Sequence, residues 1–120
     1  MFIRQKNYDN AIQKVRINVG TLVGLDKDDE AYLTLKELPT YEVMALRDAS
    51  KEGDVSTINF FKDVIPKILV DHNFYEDENT KMTNEAVRDL VFEKIDLATK
   101  VMNEYSIASF FNQEKKSEDK

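Results

Sequence analysis

The chain has 120 residues, 42% of them hydrophobic, which is enough for one domain with its own core. It contains no cysteine, so disulfides, thiolate metal sites and cysteine nucleophiles are excluded. Its net charge of −6 disfavours nucleic acid as a partner, because phosphate backbones repel an acidic surface. No apolar run approaches the ~18 residues that span a bilayer, and the chain starts without an apolar signal segment. We therefore expect a protein that stays inside the cell and does not bind membranes.

The N-terminal part of the sequence predicts two β-strands. Val15, Ile17 and Val19 alternate with polar residues, and a similar alternation returns further along the chain. A period of two favours strands over about 14–23 and 31–36, and Gly20 and Gly24, within and just after the first range, indicate a bulge or tight bend. Two strands alone are marginally stable in water, so we expect this hairpin to lie on helices or to pair with another chain.

Three helices are predicted after the hairpin, over about 41–50, 56–70 and 84–105. In each range the apolar residues recur at the spacing of one helical face. Pro66 lies inside the second helix, where it removes a backbone donor and crowds the preceding turn. We therefore expect a kink or a break near Asp63.

The third predicted helix is the longest, and Thr83 is its expected N-cap. Phe92 and Leu97 lie off its main apolar stripe, which predicts a helix that buries more than one face or contacts a partner. The stripe itself consists of Val87, Leu90, Val91, Ile95, Ala98, Val101, Met102 and Tyr105.

Together these elements predict an α+β fold, in which an N-terminal β-hairpin packs on a bundle of three to four α-helices. Residues 1–112 form the single domain in this interpretation. Residues 113–120 are charged and poor in apolar side chains, so we expect a disordered tail.

The only histidine, His72, is the first candidate for chemistry. With Asp71 and the acidic run at 76–78 it could bind a divalent metal or carry out acid–base catalysis. A catalytic zinc site draws on two or three nitrogen or sulfur ligands, however, and no second histidine exists. The favoured interpretation is an imidazole at a helix C-terminus, where it complements the dipole or bonds a terminal carbonyl. We expect no catalytic residue, metal or cofactor.

An acidic loop gives the second candidate. Asp26, Asp28, Glu30 and Glu37 fall at positions one, three, five and twelve of a calcium-binding loop. The sharp turn of that loop needs glycine at position six, where this chain has Ala31, and its flanks predict strands instead of helices. A solvated hairpin loop that discourages edge-to-edge aggregation is the favoured interpretation.

Phenylalanines supply the third candidate. Phe60, Phe92, Phe110 and Phe111 exceed what one narrow apolar stripe requires. Either a layered core uses all of these rings, or they form a groove or a self-association surface for a partner. We predict that these four residues face a partner.

The order of sequence segments over about residues 31–112 resembles that of a known family. The segments read T-L-K-E-L, P-T-Y-E-V-M-A-L-R, I-P-K-I-L-V-D-H-N-F, M-T-N-E-A-V-R-D-L-V, V-M-N-E-Y and F-F. This pattern is similar to the tail assembly chaperones of long-tailed bacteriophages and prophages of Gram-positive bacteria.

The resemblance implies a non-enzymatic helper that works in the cytoplasm of the infected or lysogenic host and is absent from the mature virion. Such a protein coats the tape-measure protein, keeps it soluble and guides tail-tube assembly around it. The tail-tube protein and further copies of the chain are additional expected partners. Two alternatives stay open: a virion structural protein of the tail or connector, similar to a terminator, and a metal-dependent enzyme centred on His72.

Overall fold

A computed structural model describes residues 1–4, 7 and 11–106. Over these ranges the fold is α+β, as predicted, with a three-stranded antiparallel sheet of order β1-β2-β3 and four α-helices. None of these helices is long and apolar enough to cross a membrane. The elements are β1 (Lys14–Asn18), a 3-10 helix (Gly20–Val23), β2 (Tyr32–Lys36), α1 (Thr40–Glu52), α2 (Asp54–Ile68), β3 (Leu69–His72), β4 (Tyr75–Asp77), β5 (Thr80–Lys81), α3 (Asn84–Val91) and α4 (Ile95–Ser106).

The predicted hairpin is formed by β1 and β2, with Ile17 opposite Leu33. Both side chains are fully buried, so the alternating pattern correctly identified the face that packs on the helices. The sheet gains a third strand, β3, where the sequence predicted the end of a helix at residue 70. A short apolar run does not distinguish the last turn of a buried helix from a buried strand, and here the chain passes directly from α2 into β3.

The first strand is shorter than predicted, because the chain turns away from the sheet after Asn18. The Oδ1 atom of Asn18 accepts hydrogen bonds from the backbone N–H groups of Gly20 (2.9 Å) and Ala31 (3.2 Å). A Cβ atom at Gly20 would lie 2.7 Å from the carbonyl oxygen of Asp29, so this close approach requires glycine. The glycine bend is confirmed, and the strand predicted as far as residue 23 is replaced by the 3-10 helix.

The sequence predicted a kink or a break near Asp63. Helix α2 continues through Pro66, so the break is wrong, and the kink stays a prediction. A proline nitrogen cannot donate to the carbonyl four residues earlier, which here belongs to Lys62. The guanidinium of Arg88 on α3 donates to that carbonyl oxygen at 3.2 Å. A side chain from a neighbouring helix thereby supplies the donor that the proline removes.

The end of α2 is held by another side chain from α3. The amide nitrogen of Asn84 donates to the carbonyl oxygens of Pro66 (3.2 Å) and Leu69 (2.9 Å). Both carbonyls lie at the helix terminus, where no further turn provides donors. Thr83, the predicted N-cap of α3, accepts a hydrogen bond from the backbone N–H of Ala86 and is confirmed in that role.

Replacing Asn84 with aspartate is expected to lower the free energy of unfolding by about 1–3 kcal/mol, because the donor amide is lost and a carboxylate then faces two carbonyl oxygens. Asn59→Asp on the exposed side of α2 is the matched control, with an expected change within about 0.5 kcal/mol. Urea denaturation followed by circular dichroism measures both. Equal losses in the two variants would contradict the proposed role of Asn84.

The single helix predicted over 84–105 is two helices, α3 and α4, separated by a turn at residues 92–94. This turn shifts the apolar stripe around the helix axis. Ile95, on the predicted stripe, is 72% exposed, whereas Leu97, predicted off the stripe, is fully buried. The position of Leu97 off the predicted apolar stripe is therefore explained by the turn between α3 and α4.

The core lies between the inner face of the sheet and helices α2, α3 and α4. Helix α1 packs on α2, and none of its residues, all of which the structure describes, is fully buried. The buried hydrophobic residues are Ile17, Val19, Ala31, Leu33, Leu35, Leu38, Phe61, Val64, Ile65, Ile68, Leu69, Phe74, Val87, Val91, Leu97, Ala98, Val101 and Tyr105.

Candidate protein-binding surface

An apolar groove runs between the 3-10 helix and the junction of α3 with α4, with a volume of about 640 Å³. Leu97, whose side chain is fully buried in the core, lies at the base of the groove. The remaining lining residues are Thr21, Leu22, Val23, Gly24, Leu90 and Lys94. We call this surface the α3–α4 groove.

The two sides of the α3–α4 groove are connected by one hydrogen bond. The ammonium group of Lys94 donates to the carbonyl oxygen of Leu22 at 3.1 Å. Leu22, Val23 and Leu90 are half-buried, so each still presents apolar surface to the groove. This exposed contact links the 3-10 helix to the turn that separates α3 from α4.

Exposed apolar side chains follow directly on the groove lining in the sequence. Leu25 comes after Gly24 and is 40% exposed, and Ile95 comes after Lys94 and is 72% exposed. Apolar surface gathered in and beside a concave feature is typical of a protein-binding site. The sequence analysis missed this site, although the run T-L-V-G-L just after β1 was an available signal.

Phe60 and Phe92, two of the predicted partner-facing residues, are half-buried and pack against the core. The ring of Phe60 meets that of Phe61 edge to face, with 5.6 Å between centroids. Only part of each ring is therefore available to a partner. Phe110 and Phe111 lie outside the described residues, and the binding role of all four stays a prediction.

His72 is 4% exposed and lies on β3, four residues beyond the end of α2, so it is not the helix-terminal histidine that was expected. Its Nδ1 accepts a hydrogen bond from the backbone N–H of Phe74 at 3.0 Å. Burial, and secondarily the positive charge of Lys81, lower the pKa of the imidazole from its ordinary value of 6.5. The result is a neutral ring whose Nδ1 lone pair already has a donor.

Two of the carboxylates predicted to accompany His72, those of Asp71 and Asp77, have other partners. Asp71 accepts a hydrogen bond from the hydroxyl of Tyr32 and forms an ion pair with Lys81 at 3.7 Å. Asp77 accepts from the backbone N–H of Asn79, and this bond is the main reason that the pKa of Asp77 is lowered. Across residues 1–4, 7 and 11–106, no group of three or more His, Asp or Glu side chains is placed to hold a metal ion.

The acidic loop does not bring its calcium-template residues together. Glu30 forms an ion pair with Arg16, and the carboxylate of Glu37 accepts from the backbone N–H of Gln13 at 3.1 Å. Glu30 and Glu37 lie at opposite ends of strand β2, and an extended segment of this length spans about 20 Å. Template positions five and twelve therefore cannot share one ion.

No family model, curated protein or solved structure matches this chain.

Proposed function

We propose that this protein is a tail assembly chaperone of a long-tailed bacteriophage or prophage, which binds the tape-measure protein and assists tail-tube assembly without enzymatic activity. It would act in the cytoplasm of the bacterial host and be absent from the mature virion. The resemblance of the sequence segments supports this family. The observation that carries a protein-binding role is the α3–α4 groove, which keeps apolar side chains accessible beside a core that is already filled.

The surroundings of His72 support a binding protein over the alternative enzyme. The ring is buried, and one of its two nitrogens serves to order the turn between β3 and β4. The nearest carboxylate in sequence, Asp71, is bound to Tyr32 and Lys81. These contacts are those of a structural histidine.

Exposed apolar side chains on helix α1 also support self-association. Because a virion structural protein of the tail or connector would self-associate as well, it is the second candidate. Tyr41 and Met44, one turn apart on this helix, are 72% and 56% exposed. Residues three apart share one helical face, so the two side chains form a small apolar patch. Mass spectrometry of purified particles distinguishes the two candidates, because a chaperone is absent from particles and a structural subunit is present.

Co-purification with the tape-measure protein of the same phage tests the proposal directly. Leu22→Ser and Leu90→Ser each remove apolar surface from the α3–α4 groove, and we expect the recovered tape-measure protein to fall by about tenfold or more, equivalent to about 1.4 kcal/mol. Val55→Ser, at a 74% exposed position on α2, is the matched control and should leave recovery unchanged.

Circular dichroism of each variant establishes that it is folded before recovery is compared. A Phe110→Ser/Phe111→Ser variant, tested in parallel, shows whether those two residues take part. Absence of any complex between the wild-type chain and the tape-measure protein would overturn the proposed function.

A further inference from the structure

We propose that the end of the sheet around Lys14 and Lys36 binds an extended acidic segment of another polypeptide. Lys14 begins β1, Lys36 ends β2, and Arg4 lines a cavity together with Lys36. We call these three residues the basic sheet corner. It shares no residue with the α3–α4 groove, so the inference goes beyond the proposed function and does not depend on it.

The strand register places Lys14 and Lys36 directly opposite each other. Leu35 is buried, so the next residue on β2, Lys36, points to the solvent side of the sheet. The adjacent pair is joined by a hydrogen bond from the N–H of Glu37 to the carbonyl of Gln13 at 2.8 Å. Lys14 and Lys36 therefore form a pair without backbone hydrogen bonds between them, in which side chains lie closest. Like charges in this position destabilise a sheet, and a bound anion would offset their repulsion.

A cavity of about 450 Å³ lies beside this pair, and Arg4, Lys36 and Glu37 contribute to its lining. The carboxylate of Glu37 accepts a hydrogen bond from a backbone N–H at 3.1 Å. Within the part of the chain that the structure describes, Lys36 has no ion-pair partner. The cavity therefore presents a guanidinium group and an ammonium group to which a carboxylate can bind.

Two further carboxylates near the sheet are bound to other cations. Glu30 forms an ion pair with Arg16, and Asp71 forms one with Lys81 at 3.7 Å. The basic sheet corner is thus a local concentration of positive charge in a chain whose net charge is −6. Because complementary charge raises the association rate and disfavours partners of the same sign, this surface selects an acidic partner.

The position of the corner favours an extended segment. β1 is the outer strand of the three-stranded sheet, so a second extended chain fits alongside it. Alternate residues of an extended segment point to one side and lie about 7 Å apart. A segment with a carboxylate at every second position therefore directs all of its negative charges to the basic sheet corner.

Synthetic peptides provide the probe. One peptide of about eight residues alternates threonine with glutamate, a pattern that favours extended backbone on one charged face. A second peptide has glutamine at every glutamate position, and a third has lysine there. Fluorescence anisotropy with the full chain should show the glutamate peptide binding at least about tenfold more tightly than either of the others. Its affinity should fall as salt is raised from about 0.05 M to about 0.5 M, because salt screens exposed charges.

A matched pair of double variants localises the binding. Lys14→Gln/Lys36→Gln should weaken binding of the glutamate peptide by about tenfold or more. Lys51→Gln/Lys62→Gln makes the same change in net charge at exposed positions of α1 and α2 and should leave the affinity unchanged. Circular dichroism should show the native spectrum for both, since the first variant removes a repulsion from the sheet.

Arg4→Gln is a further variant whose position lies outside the sheet, so it tests the inference even if the double lysine variant fails to fold. We expect it to weaken binding of the glutamate peptide by at least about threefold. An affinity unchanged from wild type in this variant and in Lys14→Gln/Lys36→Gln would contradict the proposed site.

Three other outcomes would overturn the inference. The first is equal affinity for the glutamate and glutamine peptides, and the second is an equal loss in the sheet variant and its helical control. Displacement of the glutamate peptide by citrate at the same concentration would be the third, because a small anion would then be the ligand. Sedimentation of the chain without peptide excludes a second copy as the occupant, unless self-association is found that Lys14→Gln/Lys36→Gln abolishes, which would also overturn a separate partner.

Discussion

Replacing Tyr105 with alanine is expected to lower the free energy of unfolding by about 3–5 kcal/mol, the range for removal of a large buried aromatic ring. Tyr105 is fully buried near the end of α4, and its ring meets that of Phe61 edge to face at 6.1 Å. Its hydroxyl donates to the carbonyl oxygen of Lys36 at 2.7 Å, which connects α4 to the end of strand β2. A loss of this size is a large fraction of the roughly 5–15 kcal/mol that stabilises a domain.

Tyr41→Ala is the matched control, because it removes the same side chain from a position that is 72% exposed on α1. We expect its effect to stay within about 0.5 kcal/mol. Tyr105→Phe removes the hydroxyl alone and should cost about 1–2 kcal/mol, since the half-buried carbonyl of Lys36 then loses the hydrogen bond from that hydroxyl. Urea denaturation of the three variants gives these values, and similar stability of Tyr105→Ala and Tyr41→Ala would contradict the packing described here.

Acidification is expected to destabilise the protein through His72. The pKa of the buried imidazole lies below 6.5 in the folded chain, whereas the unfolded chain exposes an ordinary histidine. The unfolded state therefore takes up a proton first as the pH falls. The stabilisation from the neutral ring is complete above about pH 6.5 and is lost progressively below it, until the pH passes the folded pKa.

The hydrogen bond at Nδ1 explains why protonation of His72 destabilises the folded state. A protonated ring would present a donor to the N–H of Phe74, which is itself a donor. The charged groups nearest to the ring act in opposite directions, because Lys81 disfavours the imidazolium and Asp71 favours it, with the effect of Lys81 the larger.

His72→Asn tests the assignment, because an asparagine oxygen can accept the hydrogen bond from Phe74 but does not titrate. Between about pH 7.5 and 5, the wild-type chain should lose more stability than the asparagine variant. His72→Ala should be the least stable of the three at neutral pH, by about 1–3 kcal/mol relative to His72→Asn, since it leaves the buried N–H without an acceptor. Parallel pH profiles for wild type and His72→Asn would show that other groups cause the acid sensitivity.

The elements with a clear period were predictable from the sequence. The alternation around Ile17 identified the buried face of the hairpin, and the apolar spacing in 56–70 identified the face of α2 that carries Phe61 and Ile65. The α+β class followed from these patterns, because a hairpin and amphipathic helices must cover one another to bury their apolar faces.

Two of the departures from the prediction have one physical cause, which is that side chains distant in sequence replace missing backbone partners. Arg88 satisfies the carbonyl that Pro66 leaves open, so a predicted break did not occur. Asn84 holds the end of α2, where the chain enters β3. Asn73 receives the N–H of Tyr32 and donates to the carbonyl of Glu30, extending the contact between β2 and β3 beyond the ladder. Local propensity contains no information about such contacts.

The α3–α4 groove was not predictable from the sequence pattern. A surplus of apolar residues predicts a binding surface, and its assignment to four phenylalanines stays a prediction, with Phe60 and Phe92 packed against the core. The α3–α4 groove depends on the turn at 92–94, which no glycine or proline announces. Its position could be found only after the shift in the apolar stripe had been recognised.

Helix α1 is expected to unfold locally at a lower free energy than the rest of the described structure. It packs mainly on α2, and the cluster of buried residues includes none of its side chains, although Val43 and Leu46 pack against that cluster. Unwinding of α1 would therefore leave the buried interior largely closed, so this helix can open at a lower free energy than the sheet and α4. Its backbone amides should exchange with solvent through such partial openings long before the rest of the chain unfolds.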